Sequence, residues 1–256
     1  MKLTALEPFQ LDIPLNSLPR TFQHAAVATR ALGYRYLWTG SLYIIQDSIE
    51  DWRDESAVMG DVYSQADCVL AATGSSDGNG GLFRSRDPAF ISPFSLQAEL
   101  GGHTEAYVCF KADLWDKRVM VAPLNQRGCV LQERMLSPHT LHFSAEQVFW
   151  ECRDLEACEV FLDRIPFQFF CFGDHECETN EFKRWTTAAN VDDNQHGGPL
   201  PYESWSHAVH VYMRCGLTKG EDKLIALSGM AKKLQLVLNN EYVAGLWRKT
   251  LIDDML

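Results

Sequence analysis

One segment, residues 35–63, constrains the fold of this chain most, because two contrasting patterns meet inside it. Residues 36–45 are rich in aromatic and β-branched side chains and carry no charge, which predicts a strand buried on both faces. Ser48 and Asp51 then have the S-x-x-D spacing that is typical of a helix-opening capping box. Apolar residues recur at helical spacing from Trp52 to Ala66. The segment therefore predicts a buried strand, a polar turn and an amphipathic helix.

A second apolar run, residues 68–73, predicts another buried strand directly after this helix. Two neighbouring strands joined by a helix form a right-handed parallel unit, so the predicted fold class is α/β. In open α/β sheets, ligands bind beyond the carboxyl ends of the strands. Gln46 and Asp47 follow the first predicted strand, and they either line such a ligand site or only cap the helix.

The rest of the chain predicts a coarser outline. Helices are expected at residues 19–32, 125–136, 205–215 and 221–239, and short strands at residues 106–110, 141–144 and 147–151. Residues 2–18 are predicted to be extended and residues 84–102 irregular. The glycine-rich run 74–81 lacks the spacing and the lysine of a phosphate-binding loop, which favours a plain mobile loop.

This outline predicts three parts. Residues 1–160 form an α/β core with additional short strands, residues 161–201 an irregular aromatic and polar insertion, and residues 202–256 a helical extension that packs on the core. With 256 residues and an apolar share of 46%, the chain is long enough to bury a core of its own.

Charge and composition exclude several classes of partner. The formal net charge of -11 argues against nucleic acid and anionic membranes, since both select for basic surfaces. The apolar run 36–45 is far shorter than the roughly 20 residues of a membrane span, and the start of the chain lacks the pattern of a signal peptide. The eight cysteines are scattered, which favours reduced thiols in a cytoplasmic protein.

Outside the opening segment, the densest group of charged and polar residues that could carry chemistry consists of Arg127, Gln132, Glu133 and Arg134. Gln132 and Glu133 are adjacent on the predicted helix, so at most one of them shares a face with an inward-pointing neighbour. A Glu133 that points into an apolar cleft would have a raised pKa and could act as an acid or base. A Glu133 paired on the surface with one of the arginines would be structural.

A second carboxylate, Glu151, follows Trp150 at the end of a predicted strand. Either Trp150 fills the core while Glu151 faces water, or Glu151 contributes to a pocket. His139 and His142, around the preceding strand, are expected to be structural.

A metal site is not predicted. Cysteines and a histidine cluster late in the core, but five residues separate the two cysteines of each pair, against two to four in zinc knuckles. The candidates set aside are Cys152, Cys158, Cys171, His175 and Cys177. A serine hydrolase is also disfavoured, because no G-x-S-x-G motif occurs.

Three motif blocks extend over nearly the whole chain. The first is L-G-Y-R-Y-L-W-T-G-S-L-Y-I-I-Q-D-S-I-E-D-W at residues 32–52, with M-G-D-V-Y at 59–63 and A-A-T-G at 71–74. The second is P-L-N-Q-R-G-C-V-L-Q-E-R-M-L-S-P-H-T-L-H-F at 123–143, with Q-V-F-W-E-C at 147–152. The third is D-K-L-I-A-L-S-G-M-A at 222–231, with Y-V-A-G-L-W at 242–247. In this order the blocks closely resemble the fungal HET domain family, the heterokaryon incompatibility family.

The resemblance implies a fold and a function. HET domains look like distant relatives of TIR domains, which have a flavodoxin-like parallel sheet core and some of which cleave NAD. In fungi the family is associated with non-self recognition and programmed cell death. The matching motif positions in this chain are Trp38, Gln46, Asp47, Asp51, Tyr63, Arg127, Gln132, Glu133, Trp150 and Glu151.

These positions define the expected site. The candidate catalytic residues are Glu133, Glu151 and Asp47. The candidate substrate-binding residues are Trp38, Tyr43, Gln46, Arg127, Gln132 and Trp150. No cofactor is expected, and NAD enters only as a substrate.

The chain departs from the family pattern at several points. Gly40 stands where the family usually has aspartate, Tyr43 where it has cysteine and Cys129 where it has tryptophan. The family's usual opening strand is also expected to be absent. The sheet would then lack a neighbour unless residues 2–14 or a partner, such as a second copy in a homo-oligomer, supply the edge.

Three functional hypotheses follow. The first is a HET-type cell-death module that cleaves NAD or serves as a non-enzymatic scaffold. The second is a repurposed enzyme, a cyclase or isomerase of a specialised metabolite pathway, with Glu133 or Glu151 as the acid. The third is a non-catalytic module that binds protein partners. The expected ligand is therefore a small molecule or a protein.

Overall fold

The computed structural model describes residues 1–100, 103–111, 114–166, 169–170, 183, 201–217, 220 and 223–252. Its helices are α1 (Leu6–Leu11), α2 (Arg20–Ala31), α3 (Gly40–Tyr43), α4 (Ile49–Gln65), α5 (Gly128–Leu136), α6 (Pro201–Arg214) and α7 (Ile225–Leu238). Its strands are β1 (Val69–Ala71), β2 (Phe94–Leu100), β3 (His103–Cys109), β4 (His139–Phe143), β5 (Val148–Cys152), β6 (Glu156–Cys158), β7 (Tyr242–Val243) and β8 (Leu246–Trp247). The predicted α/β class is confirmed. Most of the predicted insertion 161–201, with Cys171, His175 and Cys177, lies outside the described residues.

The central sheet has the strand order β1-β4-β5-β6. Strands β1 and β4 are parallel, with Leu70 opposite Leu141, whereas β4-β5 and β5-β6 are antiparallel. The predicted hairpin of β4 and β5 is confirmed, and its register decides which side chains share a face. His142 is opposite Phe149 and Thr140 opposite Glu151, so these four side chains lie on one face of the sheet.

The prediction of a strand over residues 36–45 is wrong. Gly40–Tyr43 forms the short helix α3, and Tyr36 is 83% exposed. Aromatic and β-branched residues favour a strand only where a pleated surface is available to pack against them, and only Ile44 of this segment is buried. A Cβ on Gly40 would lie 3.3 Å from the Trp38 ring, so glycine at this position lets the ring pack closely against the start of α3. The predicted parallel unit of residues 36–45 and 68–73 therefore does not form.

The helix after this segment is confirmed. Ser48 is the N-cap of α4, and its hydroxyl accepts a hydrogen bond of 3.2 Å from the Asp51 amide. The Asp51 carboxylate in turn accepts a hydrogen bond of 2.7 Å from the Ile45 amide, three residues before the cap. The capping box thus ties the preceding turn to the helix start.

The N-terminal segment does not supply a sheet edge. Residues 2–18 contain α1 and two 3₁₀ turns, so the prediction of an extended segment is wrong. The backbone N–H of Gln46 donates to the Met1 carbonyl at 2.6 Å, which fastens this segment beside α3. Helix α2 is confirmed. It is followed by the C-cap Leu32 and then by Gly33, whose φ of 84° lies in the left-handed region that favours glycine.

Two antiparallel hairpins lie beside this core. Residues 84–102 were predicted to be irregular, but β2 pairs with β3, with Leu96 opposite Tyr107. Pro88 and Pro93 favoured an irregular segment, but both precede β2, whose sequence F-S-L-Q-A-E-L alternates apolar and polar residues. The short pair β7-β8 was not predicted. Its two-residue turn contains Gly245, with a φ of 108°, and it buries Trp247.

The largest apolar cluster joins the C-terminal helices to the core. It contains Leu136 of α5, Tyr212 of α6, Met230 of α7 and Trp247 of β8. Helices α4 and α7 cross at two glycines, because a Cβ on Gly60 would lie 2.9 Å from the Gly229 Cα. Helices α6 and α7 thus share one core with α5, while the three-part boundaries 1–160, 161–201 and 202–256 stay a prediction.

Candidate functional site

The helix α5 carries Glu133 against Tyr63 from the last turns of α4. The Tyr63 hydroxyl hydrogen-bonds to the Glu133 carboxyl group. Burial raises the pKa of Glu133 to about 7, although the hydrogen bond from Tyr63 and the nearby Arg127 charge lower it. Burial, together with the Glu133 charge, also raises the pKa of Tyr63, which remains a hydrogen-bond donor. Glu133 therefore exchanges a proton near neutral pH.

Two aromatic side chains from the first motif extend from the Tyr63 side of this pair. The Trp38 ring meets the Tyr63 ring edge-on at a centroid distance of 5.6 Å, and the Tyr43 ring lies 6.2 Å from Trp38. Tyr43 is exposed and Trp38 is half-buried. Although residues 36–45 are not a strand, they still bring two predicted ligand-binding residues to Tyr63, the hydrogen-bond partner of Glu133.

Arg127 and Cys129 complete the charged part of this site. Arg127 is the N-cap residue of α5, and its backbone forms an isolated parallel bridge with Gly216. Burial and the Glu133 charge raise the pKa of the Cys129 thiol, while Arg127 lowers it. Electrostatic interactions therefore connect Arg127 and Cys129, at the start of α5, with Glu133 further along the same helix. We call Trp38, Tyr43, Tyr63, Arg127, Cys129 and Glu133 the Glu133 site.

Gln132 makes a contact between helices. Its side-chain oxygen accepts a hydrogen bond of 2.7 Å from the Gly229 amide of α7, and the side chain is buried. A Cβ on Gly229 would lie 2.9 Å from that oxygen, so the contact also requires glycine. Glu133, one residue along α5, is directed to Tyr63 of α4 instead. The prediction that only one of these neighbours shares a given face is consistent with this arrangement.

Gln46 and Asp47 hold local backbone. The Asp47 carboxylate accepts a hydrogen bond of 2.8 Å from the Leu3 amide. The Gln46 amide nitrogen donates to the Ile44 carbonyl at 3.1 Å. Both side chains thereby fasten the turn and the N-terminal segment. The pKa of Glu133 is set by burial, Tyr63 and Arg127, and neither Gln46 nor Asp47 contributes to it.

Glu151 lies in a second, fully enclosed cluster on the sheet. Arg134 donates to both of its carboxylate oxygens, with an Nη2–Oε1 distance of 2.9 Å. His142 Nε2 lies 2.9 Å from Glu151 Oε2, and Lys183 Nζ lies 3.3 Å from the same oxygen. On the other side of the imidazole, Nδ1 contacts the Thr73 hydroxyl at 3.0 Å. We call these five residues the Glu151 cluster.

Two cations, Arg134 and Lys183, share one carboxylate in the Glu151 cluster. Burial alone raises the pKa of Glu151, but Arg134 and Lys183 outweigh burial and hold it well below its usual range. Burial lowers the pKa of His142, against the opposing effect of Glu151. Because α5 carries Glu133 and Arg134 as neighbours, one helix serves both sites. The predicted catalytic carboxylates Glu133 and Glu151 nevertheless have different ionic partners and lie in separate environments.

Trp150 lies on the opposite face of β5 from Glu151. Its ring stacks on His139 of β4 at 5.2 Å, and it is half-buried. Ring contacts therefore connect Trp38 and Tyr43 to Tyr63, and Arg127 interacts with Glu133 through its charge. The other predicted site residues make their contacts with other groups, namely Gln46, Asp47, Gln132, Trp150 and Glu151.

The sequence analysis listed Tyr63 only as a motif position, Arg134 only as a possible partner of Glu133, and His142 as a structural residue. It did not single out Thr73 or Lys183. His142 was detectable in principle, because the hairpin register puts it on the same face as Glu151. Lys183 comes from a polar stretch with no periodic pattern, which offers no comparable signal.

Nowhere among the described residues do three or more His, Cys, Asp or Glu side chains converge as metal ligands would. None of the helices in the described ranges combines the length and apolar character needed to cross a bilayer.

Comparisons with known proteins identify the chain at the family level. The family model for the heterokaryon incompatibility protein (HET) matches residues 3–133. The match includes every residue of the Glu133 site and ends at Glu133 itself. Searches among curated proteins and among solved structures found no match. The two motif blocks that meet at Glu133 are thus those of a known domain, and the chain belongs to the HET, or heterokaryon incompatibility, family.

Proposed function

We propose that this HET-family protein acts in fungal non-self recognition and programmed cell death by hydrolysing the nicotinamide–ribose bond of NAD at the Glu133 site. The observation that carries the proposal is the Glu133 carboxyl group, hydrogen-bonded by Tyr63 and with a pKa of about 7. A carboxyl group with such a pKa can accept and release a proton at neutral pH, as hydrolysis requires. Its aromatic neighbours suit a planar nicotinamide or adenine ring.

The proposed reaction consumes one water molecule. The bond between ribose C1′ and the nicotinamide nitrogen breaks, and the electron pair leaves with nicotinamide, which becomes neutral. The water oxygen bonds to C1′, and Glu133 accepts the proton that this water loses before releasing it to solvent. The ionised carboxylate also stabilises the positive charge that develops on the ribose. The products are ADP-ribose, nicotinamide and one proton.

Other residues of the site would position the substrate. The Arg127 guanidinium, at the start of α5, suits the pyrophosphate of NAD, because arginine forms paired hydrogen bonds with phosphate oxygens. Tyr43 and Trp38 offer a half-exposed aromatic surface on which a flat ring can stack. Tyr63 orients the Glu133 carboxyl group.

In a second candidate function, Glu133 donates a proton instead of accepting one. Below about pH 7 most Glu133 side chains are protonated, which suits an acid that starts a cyclisation or isomerisation of a small metabolite. In a non-catalytic binding module, Glu133 would have only a structural role. The three functions differ in what Glu133→Gln removes.

Incubation of the purified protein with NAD and chromatographic detection of nicotinamide test the first of the three functions. We expect release by the wild-type protein and a loss of at least roughly a hundredfold in Glu133→Gln, because the amide cannot accept the proton. The matched control is Glu50→Gln, an exposed glutamate in the first turn of α4, which should release nicotinamide at the wild-type rate. Absence of release from folded wild-type protein at high concentration would rule out NAD hydrolysis.

A further inference from the structure

The first turns of α2 hold the end of the glycine-rich loop against the core. The run 74–81 is a loop, as predicted, and α2 contacts it through two hydrogen bonds of Thr21. The Thr21 amide donates to the Gly78 carbonyl at 2.9 Å, and the Thr21 hydroxyl accepts from the Gly81 amide at 3.1 Å. The next residue, Leu82, is only 3% exposed, because it packs into the apolar cluster of Ala25, Ala28, Leu82 and Phe143.

His24, one turn along α2 from Thr21, accepts two backbone hydrogen bonds at a single ring atom. The amides of Leu82 and Phe83 both donate to His24 Nδ1, each at 3.1 Å. An imidazole nitrogen accepts hydrogen bonds only while it carries no proton, so this geometry requires the neutral tautomer with its proton on Nε2. The ring also stacks on Phe83 at a centroid distance of 4.7 Å, and a Cβ on Gly81 would lie 2.8 Å from Nδ1.

The charged groups around His24 do not favour a positive ring. Arg20 Nε lies 3.4 Å from His24 Nε2, and within the described ranges no carboxylate is at ion-pair distance from the imidazole. Burial, and then the Arg20 charge, lower the pKa of His24. The other charged side chains of the glycine-rich segment and of the β4-β5 turn are bonded elsewhere, namely Asp77, Arg84, Arg86 and Glu146.

Protonation of Nδ1 is therefore incompatible with the position that the ring occupies. The new N–H would point at two amide N–H groups 3.1 Å away, and Leu82 and Phe83 would lose the acceptor that they share. His139 shows the opposite case, because its Nδ1 contacts the Asp67 carbonyl at 2.8 Å. A carbonyl only accepts, so this Nδ1 already carries a proton, and protonation of the other ring nitrogen breaks no bond there.

From this geometry we propose that His24 is an acid-sensitive latch, which holds residues 78–83 on α2 while Nδ1 is unprotonated and releases them when it takes up a proton. The released ring titrates near its ordinary value of 6.5, whereas the pKa of the held ring is lower. The latch is then at full strength above about pH 7 and weakens as the pH falls below 6.5. Release uncovers Leu82 and the apolar cluster beside α2. The latch shares no residue with the Glu133 site, so it does not depend on the proposed function.

Amide hydrogen exchange of the full chain, followed by NMR at Leu82 and Phe83, tests the latch. Protection factors, which correct for the pH dependence of the chemical exchange step, should fall at least roughly threefold between about pH 7.5 and pH 5 in the wild type. In His24→Asn, the side-chain oxygen takes the place of Nδ1 and accepts at every pH, so protection should change less than roughly twofold. His139→Asn is the matched control and should keep the wild-type fall.

A measurement on the wild type alone keeps the test decisive if His24→Asn does not fold. Nitrogen-15 spectra of the His24 ring should show the proton on Nε2 at about pH 7.5, and the ring and the Leu82 and Phe83 amides should titrate with one midpoint below 6.5. Wild-type protection that does not change with pH would overturn the proposal. So would a neutral ring with its proton on Nδ1, a fall in protection that persists in His24→Asn, or one that disappears in His139→Asn.

Discussion

At the scale of single residues, Glu133 shows how a carboxyl group is adjusted by its surroundings. Burial outweighs both the Tyr63 hydrogen bond and the Arg127 charge, so the pKa rises from 4.5 to about 7. Because the folded protein holds this proton more tightly than the unfolded chain, the contribution to stability is fully present below pH 4.5 and is lost as the pH rises through about 7.

Glu133→Gln should therefore remove the loss of stability that occurs as the pH rises through about 7. We expect the variant to be more stable than the wild type above about pH 8, by about 1 to 3 kcal/mol, and nearly equal to it at about pH 4. Urea denaturation across the pH range measures the difference. A variant that is destabilised equally at all pH values would show that the carboxyl group is not held in a raised-pKa environment.

Glu151 illustrates the opposite case, in which cations hold a buried carboxylate ionised. Glu151→Gln leaves Arg134 and Lys183 without the carboxylate they share, so we expect a loss of about 3 to 5 kcal/mol in unfolding free energy at neutral pH. The pKa of Glu151 is lowered, so its contribution is present above the ordinary carboxylate range and disappears as the pH falls.

The control for this prediction is Glu159→Gln. Glu159 is also paired with an arginine, Arg86, but both side chains are about one-third exposed, so the loss should stay below about 1 kcal/mol. Equal losses for the two variants in denaturant titrations would contradict the role assigned to the Glu151 cluster.

At the scale of elements, α4 and α7 both pack against α5, so their crossing sets how α5 presents Gln132 and Glu133. Gly60→Ala adds a Cβ that would lie 2.9 Å from the Gly229 Cα, and backbone cannot move aside as a side chain would. We expect a loss of about 1 to 3 kcal/mol in unfolding free energy despite the better helix propensity of alanine. Gly220→Ala, with no heavy atom within 4 Å of the new Cβ, should change stability by less than about 0.5 kcal/mol. Thermal denaturation of both variants tests this close packing, and an unchanged Gly60→Ala protein would contradict it.

Elements with a local signal were predictable from the sequence. The cap at Ser48, the glycine at the end of α2 and the alternating β4-β5 hairpin depend on neighbouring residues, and the structure confirms all three. The conformation of residues 36–45 was not predictable, because an apolar run becomes a strand only where a strand from elsewhere in the chain pairs with it. The N-terminal segment occupies that place with hydrogen bonds to Gln46 and Asp47.

At the scale of the whole molecule, the family motifs meet in two places rather than one. Trp38, Tyr43, Arg127 and Glu133 were predicted from the motif blocks, and the structure brings them together around Tyr63. Sequence spacing could not show whether Glu151 belongs to the same site, because the face on which Glu151 lies depends on how β4 pairs with β5. Helix α5 thus carries Glu133, whose pKa is raised, next to Arg134, which holds the pKa of Glu151 well below its usual range.

Direct titration of the Glu133 carboxyl carbon by NMR, in the full chain labelled with ¹³C-glutamate and assigned with Glu133→Gln, tests this account most directly. We predict a midpoint near pH 7 in the wild type. Tyr63→Phe should move it higher, because the lost hydrogen bond stabilises the ionised form. Tyr107→Phe, which removes a tyrosine–glutamate hydrogen bond from the exposed β2-β3 hairpin, should leave it unchanged. A wild-type midpoint near 4.5 would contradict the account.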